Sequence, residues 1–129
     1  MKENFYDYVL IKTVLENLNE PYYCLEELRK KCKKGAVIEI ITPYWNNKGV
    51  WNDPFSKRGF NESFFKIIAE RPRKYFIDYD PHFKIIVIDL IPTNEIGKWI
   101  YPKWFRNKLS TIISGIIMHV YVKLQVIKD

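Results

Sequence analysis

The chain has 129 residues, 47% hydrophobic and 28% charged, with a net charge of +6 at neutral pH and a pI near 9.2. That apolar share excludes a disordered chain, and the length suits one domain burying roughly two thirds of its unfolded surface. Residues 1–129 therefore read as a single domain. The charge permits an acidic partner such as nucleic acid but by itself concerns solubility and non-specific binding.

Tyr8-Val9-Leu10-Ile11 is apolar on both faces, as expected of a strand buried in a parallel sheet. Asn19 is a plausible helix cap, with Glu20 and Pro21 suited to the first turn. Pro21, Leu25, Leu28 and Cys32 recur at helical spacing. Acidic Glu26 and Glu27 precede the basic run Arg29 to Lys34, which complements the helix dipole, and Gly35 stops the helix. A second strand covers Ala36 to Thr42. Strand, crossover helix and strand make one βαβ unit of a parallel sheet. Glu39, in the middle of that second strand, needs a partner or a place at the sheet's margin.

Pro43 to Phe60 is polar, aromatic and turn-rich, and loops this long inside a compact domain are usually functional or mobile. This one leaves the carboxyl end of a parallel strand, where ligands of open α/β sheets sit. Asn61 then caps a helix from Glu62 to about Glu70, with Phe64, Ile67 and Ile68 on its apolar face. Lys74 to Ile77 reads as a short strand and Phe83 to Ile91 as a longer one. Pro102 opens a helix running to about Ser114, and Ile116 to Ile127 alternates well enough to be the last strand.

Cys24 and Cys32 fall on one predicted helix, and eight residues of helix rise about 12 Å, beyond disulfide reach. Reduced thiols suit a cytoplasmic protein. No metal-ligand spacing is present. The N-terminus lacks a signal-type apolar run. The longest apolar stretch, Leu109 to Ile127, is interrupted by Ser110, Thr111, Ser114, His119, Lys123 and Gln125, so no membrane span is expected.

Several of these segments resemble class I S-adenosylmethionine-dependent methyltransferases. Tyr6-Asp7-Tyr8-Val9-Leu10-Ile11, Leu15-Glu16-Asn17-Leu18-Asn19-Glu20-Pro21 and Glu27-Leu28-Arg29-Lys30 to Lys33-Lys34-Gly35 are similar to that family's F-D-x-V strand, V-L-E-H-L turn with D-P after it, and helix closing in R-x-L-K-P-G-G. Thr42-Pro43 matches the end of the following strand. Asp53-Pro54, Lys57 and Phe60 match a D-P-T-H-K-x-x-F loop, and Met118 to Lys128 is similar to the last strand. Asn17 and Ser56 stand where the family usually has His, and Lys34-Gly35-Ala36 replaces P-G-G.

The resemblance covers the family's strands four to seven without one to three. Seven residues precede Tyr8, and none of the five glycines falls into a G-x-G-x-G turn. The implied fold is α/β: a truncated Rossmann-like methyltransferase fold, a mixed sheet with helices packed on it, lacking the first three strands. The implied protein is methyltransferase-like, inactive alone and needing a partner or second copy to complete an S-adenosylmethionine site. The resemblance places the cofactor's methionine end near Lys12, Thr13 and Glu16. It frames an acceptor with Tyr44, Trp45 and Lys57, and offers Asp53 as a base, although Asp53 before Pro54 also reads as a turn opener. Without strands one to three the Tyr8–Ile11 strand becomes an exposed apolar edge. Pairing with the same strand of a second copy, or with a separately encoded first half, would cover it.

Trp99, Tyr101, Trp104 and Phe105 lie among Lys98, Lys103, Arg106 and Lys108. Such interleaving suits stacking on single-stranded bases or a membrane interface. It equally describes a helix with Trp104 and Phe105 in the core and its cations solvated. The alternative functions are thus a non-catalytic oligomeric scaffold or a basic nucleic-acid-binding protein derived from the fold.

Overall fold

The computed structural model describes residues 3–94, 97–100 and 102–128. The predicted loop residue Tyr101 lies outside them. Four strands, β1 (Tyr6–Lys12), β2 (Cys32–Pro43), β3 (Phe83–Pro92) and β4 (Ile117–Val126), form one sheet in the order β1-β2-β4-β3. β1 runs parallel to β2, and β4 is antiparallel to both β2 and β3. The helices are α1 (Pro21–Lys31), α2 (Lys48–Asn52), α3 (Glu62–Glu70) and α4 (Lys103–Leu109). The mixed α/β sheet expected from the sequence is present, and its βαβ unit is β1-α1-β2.

Register sorts the strand residues onto two faces. Ile38, Leu124 and Ile85 align across β2, β4 and β3, as do Ile40, Val122 and Ile88. With Leu25 of α1 and with Phe65 and Ile68 of α3, they build the core. The opposite face carries Tyr8, Leu10, Val37, Glu39 and Lys123, and it is only half covered. Glu39 lies there, accepting a hydrogen bond from the Tyr8 hydroxyl at 2.9 Å and facing Lys123 at 3.5 Å. The hydroxyl and the cation hold its carboxyl below the ordinary range.

β1 is not buried on both faces. Of Tyr8 to Ile11 only Ile11 is buried, while Tyr8 and Leu10 are 52% and 50% exposed. Among the described residues β1 is an edge strand, paired on one side alone.

Other expectations need correction. α1 stops at Lys31, and Cys32 already begins β2, so the two cysteines do not share a helix; both are free thiols. Gly35 stops no helix. It takes φ +82 inside a bulge where the register jumps from Tyr6↔Cys32 to Tyr8↔Val37. Lys33, placed in that bulge, pairs with Asp7 at 3.2 Å. Asn19 does not cap α1; Glu20 holds that position without a side-chain bond. Asn61 does cap α3, accepting from the Phe64 amide at 3.1 Å. The face of α3 that packs is Phe65, Ile68 and Ala69, one step round from the predicted stripe.

Lys74 to Ile77 forms turns rather than a strand. They follow Arg71, which ends α3 with φ +49 and buries its guanidinium. That group donates to the Tyr22 hydroxyl at 2.6 Å and to the Asp78 carbonyl at 2.8 Å, lies 3.4 Å from Glu26, and stacks over Phe76. His82 Nδ1 closes the network on Glu26 at 2.9 Å. α4 runs for seven residues and buries none of them. Trp104, at 64% exposed, and Phe105 are therefore not core residues. No helix among the described residues is long and apolar enough to cross a membrane.

Candidate functional site

The carboxyl ends of β1 and β2 and the start of β4 meet at one edge of the sheet. β1 ends at Lys12, and Thr13 then takes φ +54, a left-handed conformation uncommon for a β-branched residue. That reversal drops the chain into a single 3-10 turn, Leu15–Asn17, which carries Glu16 into the interior. β2 ends at Pro43. The loop after it is closed by a parallel bridge between Tyr44 and Phe60, with Trp45 N–H donating to the Phe60 carbonyl at 2.9 Å and Phe60 N–H to that of Pro43 at 3.0 Å. The closure folds residues 48–58 back over the strand ends. Lys57 N–H donates to the Glu16 carbonyl at 2.7 Å, which ties this loop to the turn after β1.

Between them lies an open cleft of about 300 Å³, lined by Thr13, Glu16, Pro43, Asn47, Asp53, Ser56, Met118 and His119. A second hollow of about 260 Å³ adjoins it across Asn47 and Met118 and reaches Thr93 and Gly115. Glu16 is 4% exposed, yet its Oε2 has no hydrogen-bond partner. Burial pushes its carboxyl above the usual range, and the neighbouring charge of Asp53 adds to the effect. Ser56 Oγ is likewise buried without a partner. Asp53 Oδ1 accepts from the Phe55 amide at 2.9 Å, so it opens a turn and lines the cleft at once. Burial, followed by the charge of Lys12, holds His119 below the ordinary histidine value.

The predicted residues thus divide. Thr13, Glu16 and Asp53 come together. Lys12 is exposed and outside the cleft wall. Tyr44 points the other way: it is a core residue whose hydroxyl meets Ser110 Oγ at 3.2 Å. Trp45 is exposed beside the loop closure. The Lys57 ammonium bonds Asn19 Oδ1 rather than facing the cleft. Sequence reasoning missed Asn47, Ser56, Met118 and His119. The family loop pattern had marked the Ser56 position, whereas Met118 and His119 reach the cleft only through the antiparallel register Pro43↔His119.

No protein-family model matches the sequence, and no curated protein sequence does. Solved structures do match. A SAM-dependent methyltransferase from Archaeoglobus fulgidus aligns with TM-score 0.67 at 16% identity, over 95% of this chain and 60% of its own. A putative methyltransferase from Bacillus halodurans gives 0.61 at 12%, over 99% and 67%. A chain from the complex between the Haloferax volcanii Trm112 methyltransferase activator and a putative methyltransferase gives 0.61 at 12%, over 98% and 56%. The protein has a class I methyltransferase-like, Rossmann-like fold in truncated form. It spans 56–67% of the length of these three structures.

Proposed function

We propose that this protein is one half of an S-adenosylmethionine-dependent methyltransferase-like unit, inactive alone, whose cofactor site is completed by a second copy or by a separately encoded first half. The observation that carries this reading is the β1 edge. Its outer backbone is unpaired among the described residues, Tyr8 and Leu10 stand half exposed on the half-covered face of the sheet, and the cleft opens directly beyond its carboxyl end. An apolar edge of this kind is normally covered or paired. Self-pairing of Tyr8–Ile11 across a two-fold axis would satisfy the open backbone edge. The neighbour solved in complex with an activator is a precedent for a partnered protein of this fold. In the completed site Thr13, Glu16 and Lys12 adjoin the methionine end of the cofactor and Asp53 serves as base for the acceptor's proton, with Trp45 and Lys57 framing the entrance. Methyl transfer is chiefly a matter of positioning, so few catalytic groups are needed. Two free cysteines fit a cytoplasmic protein.

The test is calorimetric titration of S-adenosylmethionine and S-adenosylhomocysteine, with the mass in solution measured alongside. The reading expects a mass above one 15.6 kDa chain, its reduction to one chain by Leu10→Glu, and no saturable cofactor binding by that monomer. A wild-type chain that stays monomeric at high concentration removes the self-pairing arm. Micromolar cofactor binding by a monomer overturns the reading.

One observation favours a second reading, a basic nucleic-acid-binding or scaffold derivative of the fold. α4 exposes Trp104 and Phe105 beside Arg106 and Lys108, with Lys108 over the Trp104 ring. Steep salt dependence of single-stranded oligonucleotide binding, weakened by Trp104→Ala, would favour it.

A further inference from the structure

We propose that the cleft between Glu16 and Asp53 is a seat for a protonated primary amine, the group that an amine-class methyl acceptor would bring to it. The methyl-acceptor role rests on the reading above; the amine seat itself rests on the cleft.

Glu16 Oε2 is buried without a partner. A carboxylate oxygen taken from water and left unbonded is among the more unfavourable arrangements a fold can hold, and it persists where something else answers it. Nothing on the cleft wall does so. Among the described residues no Lys or Arg lines it, although the chain is rich in both. Lys12, whose charge reaches His119, lies outside the wall, and Lys57 directs its ammonium to Asn19. Among the described residues of the wall His119 is the basic group, and burial holds it below the ordinary histidine value. Asp53 supplies a second negative charge close enough to disturb Glu16. Among the described residues the wall thus combines two carboxyl groups, a buried hydroxyl oxygen on Ser56 with an unanswered lone pair, and no Lys or Arg.

An ammonium group carries three N–H donors and one positive charge. Glu16 Oε2, Asp53 and Ser56 Oγ offer three acceptors and the opposite charge. A quaternary ammonium matches the charge but has no N–H for the orphaned oxygens. A metal ion fits less well, because no group of three or more His, Cys, Asp or Glu side chains among the described residues could hold one. The cleft volume of about 300 Å³ admits a small amine with room for the rest of a substrate, which would extend into the adjoining hollow past Met118.

The experiment uses the chain alone, without cofactor. Ethylammonium chloride is titrated in and followed by amide shifts of Ser56 and His119 and by the carboxyl carbon of Glu16. Tetramethylammonium chloride at equal ionic strength and magnesium chloride are the controls. Saturable shifts at these three positions are expected with ethylammonium. Tetramethylammonium should bind about tenfold more weakly, equivalent to about 1.4 kcal/mol. Glu16→Gln should weaken ethylammonium by about the same factor while its melting curve shows a folded chain, and Glu62→Gln, on α3, should change nothing. Equal binding of both ammonium ions, unchanged affinity in Glu16→Gln, tighter binding of magnesium at the same residues, or no saturable shift would each overturn the proposal. The cofactor titration is a separate measurement, so failure of the methyltransferase reading and failure of the amine seat show up independently.

Discussion

Gly59 holds the cleft together through its lack of a side chain. A Cβ built there would lie 2.4 Å from Trp45 Cα, 3.0 Å from its N and 3.2 Å from its carbonyl carbon. All three are backbone atoms, so no rotamer change relieves the clash. The strands of the loop closure must separate instead, and the two hydrogen bonds joining Trp45, Phe60 and Pro43 go with it. Two backbone hydrogen bonds are worth about 2 kcal/mol together, within the ~1–3 kcal/mol range for overpacking. A domain with an ordinary stability of roughly 5–15 kcal/mol survives that loss. Gly59→Ala should therefore stay folded with its loop detached. Amide exchange at Trp45 and Phe60 should rise about 30-fold, the factor equivalent to 2 kcal/mol, while Val122 in the sheet centre exchanges as before. Since Asp53 and Ser56 ride on the same loop, ammonium binding should weaken as well. Unchanged protection at Trp45 and Phe60, or a uniform rise that includes Val122, would refute this account of the closure.

Glu16→Gln should melt above wild type at neutral pH. The folded chain raises this carboxyl's pKa, so its contribution is present below the unfolded value of about 4.5 and is lost as pH rises through the higher folded value; the gap in melting temperature should close in acid. Tyr8→Phe should move Glu39 back up towards 4.5, seen by carboxyl carbon titration. Glu39 has the opposite sign, its contribution being present above that pH and lost as pH falls through the depressed value. Arg71→Ala leaves Glu26 half-buried without its cation and should destabilise the chain by about 3 kcal/mol, a drop of roughly 10 °C in a thermal melt; a change within error would mean that His82 alone satisfies Glu26.

The pattern of residues carried the βαβ unit, β3, β4 and the Asn61 cap, because each has a periodicity or a terminal signal of its own. The bulge at Gly35 was hidden, since Lys33-Lys34-Gly35 has the composition of a helix end and only the pairing with β1 shows otherwise. Turns replaced the predicted strand at Lys74–Ile77 because the buried Arg71 draws the Asp78 carbonyl inward. In the site, Thr13, Glu16 and Asp53 came from the family resemblance rather than from any local signal, and the fold sets them on one cleft wall. Tyr44 was misplaced since a loop aromatic gives no hint of which side it faces, and here its hydroxyl finds Ser110 inside. His119 needed the antiparallel register of a strand about 75 residues away from Pro43, information that no local reading contains.

The position of β4 has a kinetic consequence. β2 and β3 do not touch each other as strands; each pairs with β4, through contacts such as Ile38↔Leu124 and Leu90↔Val120. While the ribosome is still making residues 93–116, the nascent chain holds two apolar strands with no mate between them, and the sheet cannot assemble until residues 117–126 emerge and insert. Pairings that distant in sequence form slowly, and unpaired strand edges are where nascent chains stick to one another. Pausing of translation before Ile117 should therefore expose the chain to chaperone capture, and release of β4 should end it.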